Sequence, residues 1–319
     1  MALAFVFPGQ GSQSLGMSSA LAENFDIVKK TYDEASEALG HDLWQLVCNG
    51  PEADLNKTQN TQPAMLTAGV AVWRVWKQRG GPLPTVLAGH SLGEYTALVC
   101  AGALDFSDAV RLVADRARFM QAAVPAGKGA MAAILGLEDA AVRALCEKAA
   151  EGQVLDAVNY NSPGQVVIAG DTAAVDRAVA QAGEAGAKRA IILPVSVPSH
   201  CALMHEAANN MADRLLSVTI NPLEIPVLHN VNVKAENKAE AIRALLVQQI
   251  ENPVRWVETV EKIASQGVKT IIECGPGKVL TGLNKRITKK AKTLPVFDLT
   301  SLDSALELVR AKLTDSLNS

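Results

Sequence analysis

Short apolar runs alternate along this chain with longer stretches in which apolar residues return every three or four positions. The first spacing suits a buried strand and the second an amphipathic helix. Ala2 to Phe7 is the first strand candidate, and Pro8-Gly9 ends it. Glu23 to Leu39 reads as a helix. Asn60-Thr61-Gln62-Pro63 starts another that runs to about Arg79, with Pro63 in its first turn, where a missing N–H does no harm. Val86, Leu87 and Ala88 form a strand, Glu94 to Cys100 opens a helix, and Asp105 opens the next, which ends near Pro125. Such alternation implies a mainly parallel sheet with helices on its faces.

The order changes after the breaker cluster Pro125-Ala-Gly-Lys-Gly129. Ala130 to Leu135 is a strand, Glu138 to Ala150 a helix, Val154 to Asn159 a strand, and Asn161 to Gly164 a turn. Gln165 to Ala169 is a strand, Thr172 to Ala185 a helix, and Arg189 to Leu193 a strand. That is β-α-β-β-α-β, the ferredoxin-like order. It reads as a compact unit, residues 126–195, inserted between two parts of a larger domain, residues 1–125 and 196–319. Beyond it, Pro226 to Val231 and Lys269 to Cys274 read as strands. A helix reaches from His200 to about Ser217, with others at Ala239 to Gln249 and Val254 to Ser265. Ser301 to Leu317 reads as an exposed amphipathic helix.

Composition adds bounds. The 319 residues suffice for one large domain or two smaller ones, and 49% apolar with 20% charged fits a globular protein. A net charge of −3 gives no reason to expect nucleic acid as the main partner. The most membrane-like run, Val86 to Leu104, is interrupted by His90 and Glu94, so no membrane segment is expected. Met1 to Phe7 lacks the basic start of a signal peptide. Five scattered cysteines with no metal-ligand spacing suit a reducing compartment, the cytoplasm, and each reads as a small buried hydrophobe.

The candidate chemistry centres on Gly89-His90-Ser91-Leu92-Gly93, a G-x-S-x-G between a strand and a helix. A serine on so sharp a turn needs small flanking residues, because backbones there come close. The turn would expose the Ser91 hydroxyl and aim the Leu92 N–H at the same spot, giving a nucleophile and half of an oxyanion hole. The plain alternative is a glycine-flanked turn whose serine only caps a helix. Around Arg116, the positions three, four and seven away are Ala109, Leu112, Val113, Phe119, Met120 and Ala123, so the arginine projects from an apolar face. A guanidinium set there needs an anion, either a protein carboxylate or a substrate carboxylate. Arg111 and Arg118 have acidic neighbours and read as solvated. His200, at a helix start that disfavours the imidazolium, is the chosen base for Ser91, while His41, His205 and His229 have no comparable setting. Two glycine loops fail as phosphate motifs: the one after Phe7 lacks its third glycine, and Gly275-Pro-Gly277-Lys278 lacks the Walker spacing. The basic run from Lys285 to Lys292 reads as a solvated face.

Taken together, the motifs resemble those of the malonyl-CoA:acyl carrier protein transacylases of fatty-acid synthesis. They are Phe7-Pro-Gly-Gln-Gly-Ser-Gln13, Gly89-His-Ser-Leu-Gly-Glu-Tyr95, Arg116 in Asp115-Arg-Ala-Arg-Phe-Met120, Asn159-Tyr-Asn-Ser-Pro-Gly-Gln165, Val197-Pro-Ser-His200, Gln249 ahead of Asn252-Pro253, and Gly275-Pro-Gly-Lys278. The resemblance spans nearly the whole chain. It implies an α/β-hydrolase-like large domain with a ferredoxin-like small one. It also implies Ser91 as nucleophile, His200 as base, and a backbone carbonyl near Gln249 in place of a triad acid. It puts the N–H groups of Gln10 and Leu92 in the oxyanion hole and Arg116 on the malonyl carboxylate. No metal or organic cofactor is implied; the partners are malonyl-CoA and an acidic acyl carrier protein, which the basic run could dock. A serine hydrolase and a non-catalytic scaffold are the rival readings. A lipase has no use for an arginine in an apolar setting, and intact Ser91 and His200 argue against a scaffold.

Overall fold

The structure, a computed structural model, describes residues 2–195 and 197–317. Ser196, in the expected junction, and residues 318–319, at the end of the expected larger domain, lie outside them. The strands are β1 (Leu3–Phe7), β2 (Val86–Gly89), β3 (Gly129–Leu135), β4 (Leu155–Ser162), β5 (Gln165–Asp171), β6 (Arg189–Ile192), β7 (Val227–Leu228), β8 (Thr270–Cys274) and β9 (Lys292–Val296). They form a mixed α/β structure with two separate sheets. The first has five strands in the order β7-β2-β1-β8-β9, all pairs parallel. The second has four in the order β4-β5-β3-β6, all pairs antiparallel.

The apolar runs are explained by which faces are covered. In β1, Leu3, Phe5 and Phe7 join one core cluster while Ala4 and Val6 join another, so both faces are buried and the strand needs no polar alternation. The first cluster lies under the helices Asp26–Leu39, Thr58–Gln78 and Phe106–Ala123; the second lies under Trp256–Ser265 and Val279–Ile287. In the antiparallel sheet, Ala132, Ile134, Val166 and Ile168 pack with the helices Asp139–Ala150 and Thr172–Gln181. Its other face, with Met131, Ala133, Val167 and Ala169, covers Cys201 of the outgoing chain. All five cysteines are free, and all but the half-buried Cys48 are buried.

Several local expectations are corrected. The helix expected at Asn60 begins at Thr58, which puts Pro63 in its second turn. Strand β4 continues to Ser162, so the hairpin turn is only Pro163-Gly164, with Gly164 at φ 70°. The strand expected over 226–231 is reduced to Val227–Leu228. The terminal helix Leu299–Leu317 is not simply exposed, because Leu302, Ala305, Leu306 and Val309 are buried. Strand β9 begins inside the basic run, at Lys292. Helix Val279–Ile287 begins on the N–H groups of Leu280 and Thr281, held at 3.0 and 2.7 Å by the buried Glu273 at the end of β8.

Candidate active site

Three loops meet where the parallel strands end. β1, β2 and β8 run side by side, so the chain after each emerges at one edge of the sheet. The loop after β1 touches the serine turn: a Cβ at Gly9 would stand 2.6 Å from the His90 carbonyl oxygen. Gly275, at φ 141°, packs on Pro8, and Gly277 packs on Ser12. Within the turn itself, a Cβ on Gly89 would lie 1.9 Å from the Gly93 carbonyl, and one on Gly93 would lie 2.0 Å from the Phe7 oxygen. The glycines are there because backbone occupies the side-chain space. Ser91 takes the left-handed region, φ 51°. Asn230 braces that conformation: its Oδ1 accepts from the Ser91 N–H at 2.8 Å, and its Nδ2 donates to the Gly89 oxygen at 2.6 Å.

The Ser91 Oγ lies 2.7 Å from His200 Nε2. His200 Nδ1 donates to the Gln249 carbonyl oxygen at 2.6 Å; a carbonyl only accepts, so the ring proton sits on Nδ1 and Nε2 is free to accept from the serine. The His200 N–H donates to the Ile250 oxygen, holding the residue at φ 68°. Burial, and then the Arg116 charge, bring the His200 pKa down to about 3. The expected cause, a helix N-terminus, is corrected. A short 3₁₀ turn at Ala202–Met204 intervenes, and the α-helix starts only at His205.

Arg116 is 1% exposed. Its Nη1 donates to Gln62 Oε1 at 2.7 Å, and its Nη2 to Gln249 Oε1 at 3.0 Å and to Ser91 Oγ at 3.2 Å. Its guanidinium lies 5.4 Å from the centre of the Tyr95 ring, and among the described residues its Nε has no hydrogen-bond partner. Among the described residues no carboxylate pairs with it, and burial pushes its pKa below the ordinary value. Arg111 and Arg118 instead pair with Asp108 and Asp115 at 2.7 Å on the surface. His90 points away from Ser91: its Nε2 donates to Asn161 Oδ1 at 2.8 Å, and its ring lies 5.5 Å from Trp256. That bond joins the serine turn to β4 of the smaller sheet. β4 is also tied to the chain after Gln249, through Val254 N–H to the Val158 oxygen at 2.8 Å.

The structure thus brings Ser91, His200, Gln249 and Arg116 together, with Leu92 beside the serine and the Gln10 loop packed on the turn. Sequence reasoning missed Gln62, Glu94, His229 and Asn230. His229, set aside above, is fully buried with Nδ1 2.7 Å from Glu94 Oε1. The available signal was position: His229-Asn230 directly follows β7, at the same sheet edge as Ser91.

The acyl transferase domain family matches residues 4–303. The malonyl CoA-acyl carrier protein transacylase of Escherichia coli K12 is 58% identical over 96% of this chain and 99% of its own. The chain belongs to the malonyl CoA-acyl carrier protein transacylase family. Two members of known structure agree. An acyl carrier protein S-malonyltransferase from Vibrio cholerae superposes with a TM-score of 0.93 at 57% identity, over 96% of this chain and 100% of that one. A malonyl-transacylase solved in complex with a type II PKS acyl-carrier protein gives 0.95 at 55% identity, over 96% and 99%.

Proposed function

We propose that this chain moves a malonyl group from malonyl-CoA to the phosphopantetheine thiol of an acyl carrier protein, in two half-reactions through an ester on Ser91. In the first, Ser91 Oγ attacks the thioester carbon as His200 Nε2 takes its proton. The developing oxyanion meets the N–H groups of Gln10 and Leu92, each donor contributing roughly 3 kcal/mol. Collapse breaks the C–S bond, and the His200 proton goes to the departing coenzyme A sulfur. In the second, the carrier's thiol gives its proton to His200 and attacks the ester, and Ser91 leaves with that proton. The neutral state of His200 and the carbonyl behind it support its role as base; Gln249 supplies that carbonyl.

The observation that carries the reading is Arg116: a buried cation with only neutral partners, one hydrogen bond from the nucleophile. A malonyl group on Oγ ends in a carboxylate a few bonds away, and the guanidinium fork suits its two oxygens. An acetyl group leaves the fork unanswered, which disfavours it. The helix Val279–Ile287 and the turn after it expose Lys285, Arg286, Lys289 and Lys290, a face suited to an acidic carrier.

We read residues 1–125 and 196–319 as an α/β-hydrolase-like catalytic domain and 126–195 as a ferredoxin-like one; the two strand orders support this. No helix among the described residues is long and apolar enough to cross a membrane, and with the free cysteines we assign the cytoplasm. The test is the first half-reaction alone. Without carrier protein, the enzyme should exchange labelled coenzyme A into malonyl-CoA, and Ser91→Ala should not. Hydrolysis without exchange would favour the serine-hydrolase reading.

A further inference from the structure

Beneath the serine turn lies a buried polar layer that these transfer steps do not use. Glu94, in the first turn of the helix Gly93–Cys100, is completely buried. Its Oε1 accepts from His229 Nδ1 at 2.7 Å. Its Oε2 accepts from the Asn230 N–H at 2.9 Å and from Gln249 Nε2 at 2.9 Å. Gln249 Nε2 also donates to the Ser91 carbonyl oxygen at 2.9 Å. Asn230 is the residue that braces the serine turn, and Gln249 is the one whose side-chain oxygen holds Arg116.

A glutamine amide has two ends of nearly equal size and opposite polarity. Here its nitrogen end meets two groups that only accept, Glu94 Oε2 and the Ser91 oxygen. Its oxygen end meets a group that only donates, the Arg116 guanidinium. Turned round, the amide would set oxygen against oxygen at Glu94 and Ser91, and N–H against N–H at Arg116. All of this is out of water, where unmatched polar atoms are costly.

We propose that Glu94 is a positioning residue for malonyl selectivity: by accepting from Gln249 Nε2 and Asn230 N–H together, it turns the Gln249 oxygen toward Arg116 and steadies the serine turn. The side-chain hydrogen bonds of Glu94 go to His229, Asn230 and Gln249, and none among the described residues goes to the Ser91 hydroxyl. The inference rests on the transfer reading above.

Glu94→Gln and Glu94→Met separate this role from bulk packing. The glutamine oxygen can take the Oε2 place and keep both bonds there. Its N–H₂ then faces His229 Nδ1, which can accept only if the ring proton moves to Nε2, an atom without a hydrogen-bond partner among the described residues. Met has similar length and no acceptor. Each variant is offered equal malonyl-CoA and acetyl-CoA, and acyl-Ser91 is read by intact mass; ¹⁵N spectra follow the His229 tautomer. Glu94→Gln should keep the malonyl preference within about threefold, with His229 shifted to the Nε2–H form, and Glu94→Met should lose about tenfold or more of that preference. A folded Glu94→Met as selective as the wild type overturns the proposal. Where Glu94→Met does not fold, Glu94→Gln decides: preference lost with His229 in the Nε2–H form, the amide oxygen then being in the Oε2 place, overturns it, as does preference kept with His229 still protonated on Nδ1, the amide then being turned round. A wild type that takes no malonyl on Ser91 overturns the transfer reading instead.

Discussion

Every residue of β1 and β8 is buried, whereas β6, at the edge of the antiparallel sheet, leaves Ile191 44% and Ile192 53% exposed. The contrast extends to the turns. Around the parallel sheet, the glycines at 89 and 93 are fixed by backbone atoms within 2.0 Å of where a Cβ would sit. In the smaller unit, Gly183 has nothing within 4 Å. Both regions are well packed inside, and a Cβ on Gly170 of the smaller unit would also stand 2.0 Å from the Val154 oxygen, but around the parallel sheet the close approaches lie in the loop that carries Ser91. Catalytic geometry needs that lack of slack, because a nucleophile displaced by an ångström loses much of its rate. The antiparallel sheet is bonded to the serine turn through His90 and Asn161, and to the chain after Gln249 through Val158 and Val254.

The largest effect should come from placing the same methyl group in the two regions. In Gly89→Ala the new Cβ meets backbone, which cannot rotate away, so a loss of about 3 kcal/mol or more is expected, or no folded protein at all. Gly183→Ala should stay within about 0.5 kcal/mol of the wild type. Thermal unfolding of both variants measures this, and matching midpoints would erase the contrast.

Next in size is the pH response of the buried histidine, His200, that we propose as the base. A histidine accepts protons only when neutral, and a pKa of about 3 keeps His200 neutral far below the ordinary 6.5. The acylation kcat/KM should therefore hold level from about pH 8 to about pH 5, with no histidine limb near neutrality. The linked stability has the matching sign. As pH falls from 6.5 toward 3, the unfolded chain binds this proton first, so folding weakens through that window. A limb centred near 6.5 would mean that the imidazole is solvated.

The smallest effect belongs to the open surface. Lys289→Glu combined with Lys290→Glu should raise KM for the carrier protein about threefold, leaving KM for malonyl-CoA unchanged, because exposed charges steer association weakly and are screened by salt. An unaltered carrier KM would leave these lysines as a solvated face only.

What could be read from sequence was local. Gly89 reports a close approach to Gly93 within the same turn, although Gly93 itself is held against the distant Phe7, and the apolar neighbours of Arg116 on its own helix reveal its burial. The smaller unit was legible because its strands and helices follow one another in the chain. The rest depends on meetings across the chain. Asn230 reaches Ser91 across 139 positions, and Gln249 reaches Glu94 across 155. No periodicity encodes such pairs. His200, read from the sequence as the base for Ser91, stands 2.7 Å from its hydroxyl, but what keeps it neutral is burial beside Arg116, a tertiary property, and not the helix end that the sequence suggests. Strand β9 was hidden because its first residue, Lys292, closes a basic run, and the strand that follows is only partly buried.

The central claim is that one serine is loaded and one buried arginine chooses the acid it carries. Intact mass of the wild type, Arg116→Ala and Ser91→Ala, each mixed with equal malonyl-CoA and acetyl-CoA, tests it most directly. The wild type should carry malonyl on Ser91, Arg116→Ala should carry mainly acetyl, and Ser91→Ala should carry neither. Malonyl still preferred by Arg116→Ala, or an acyl group on Ser91→Ala, would contradict the account.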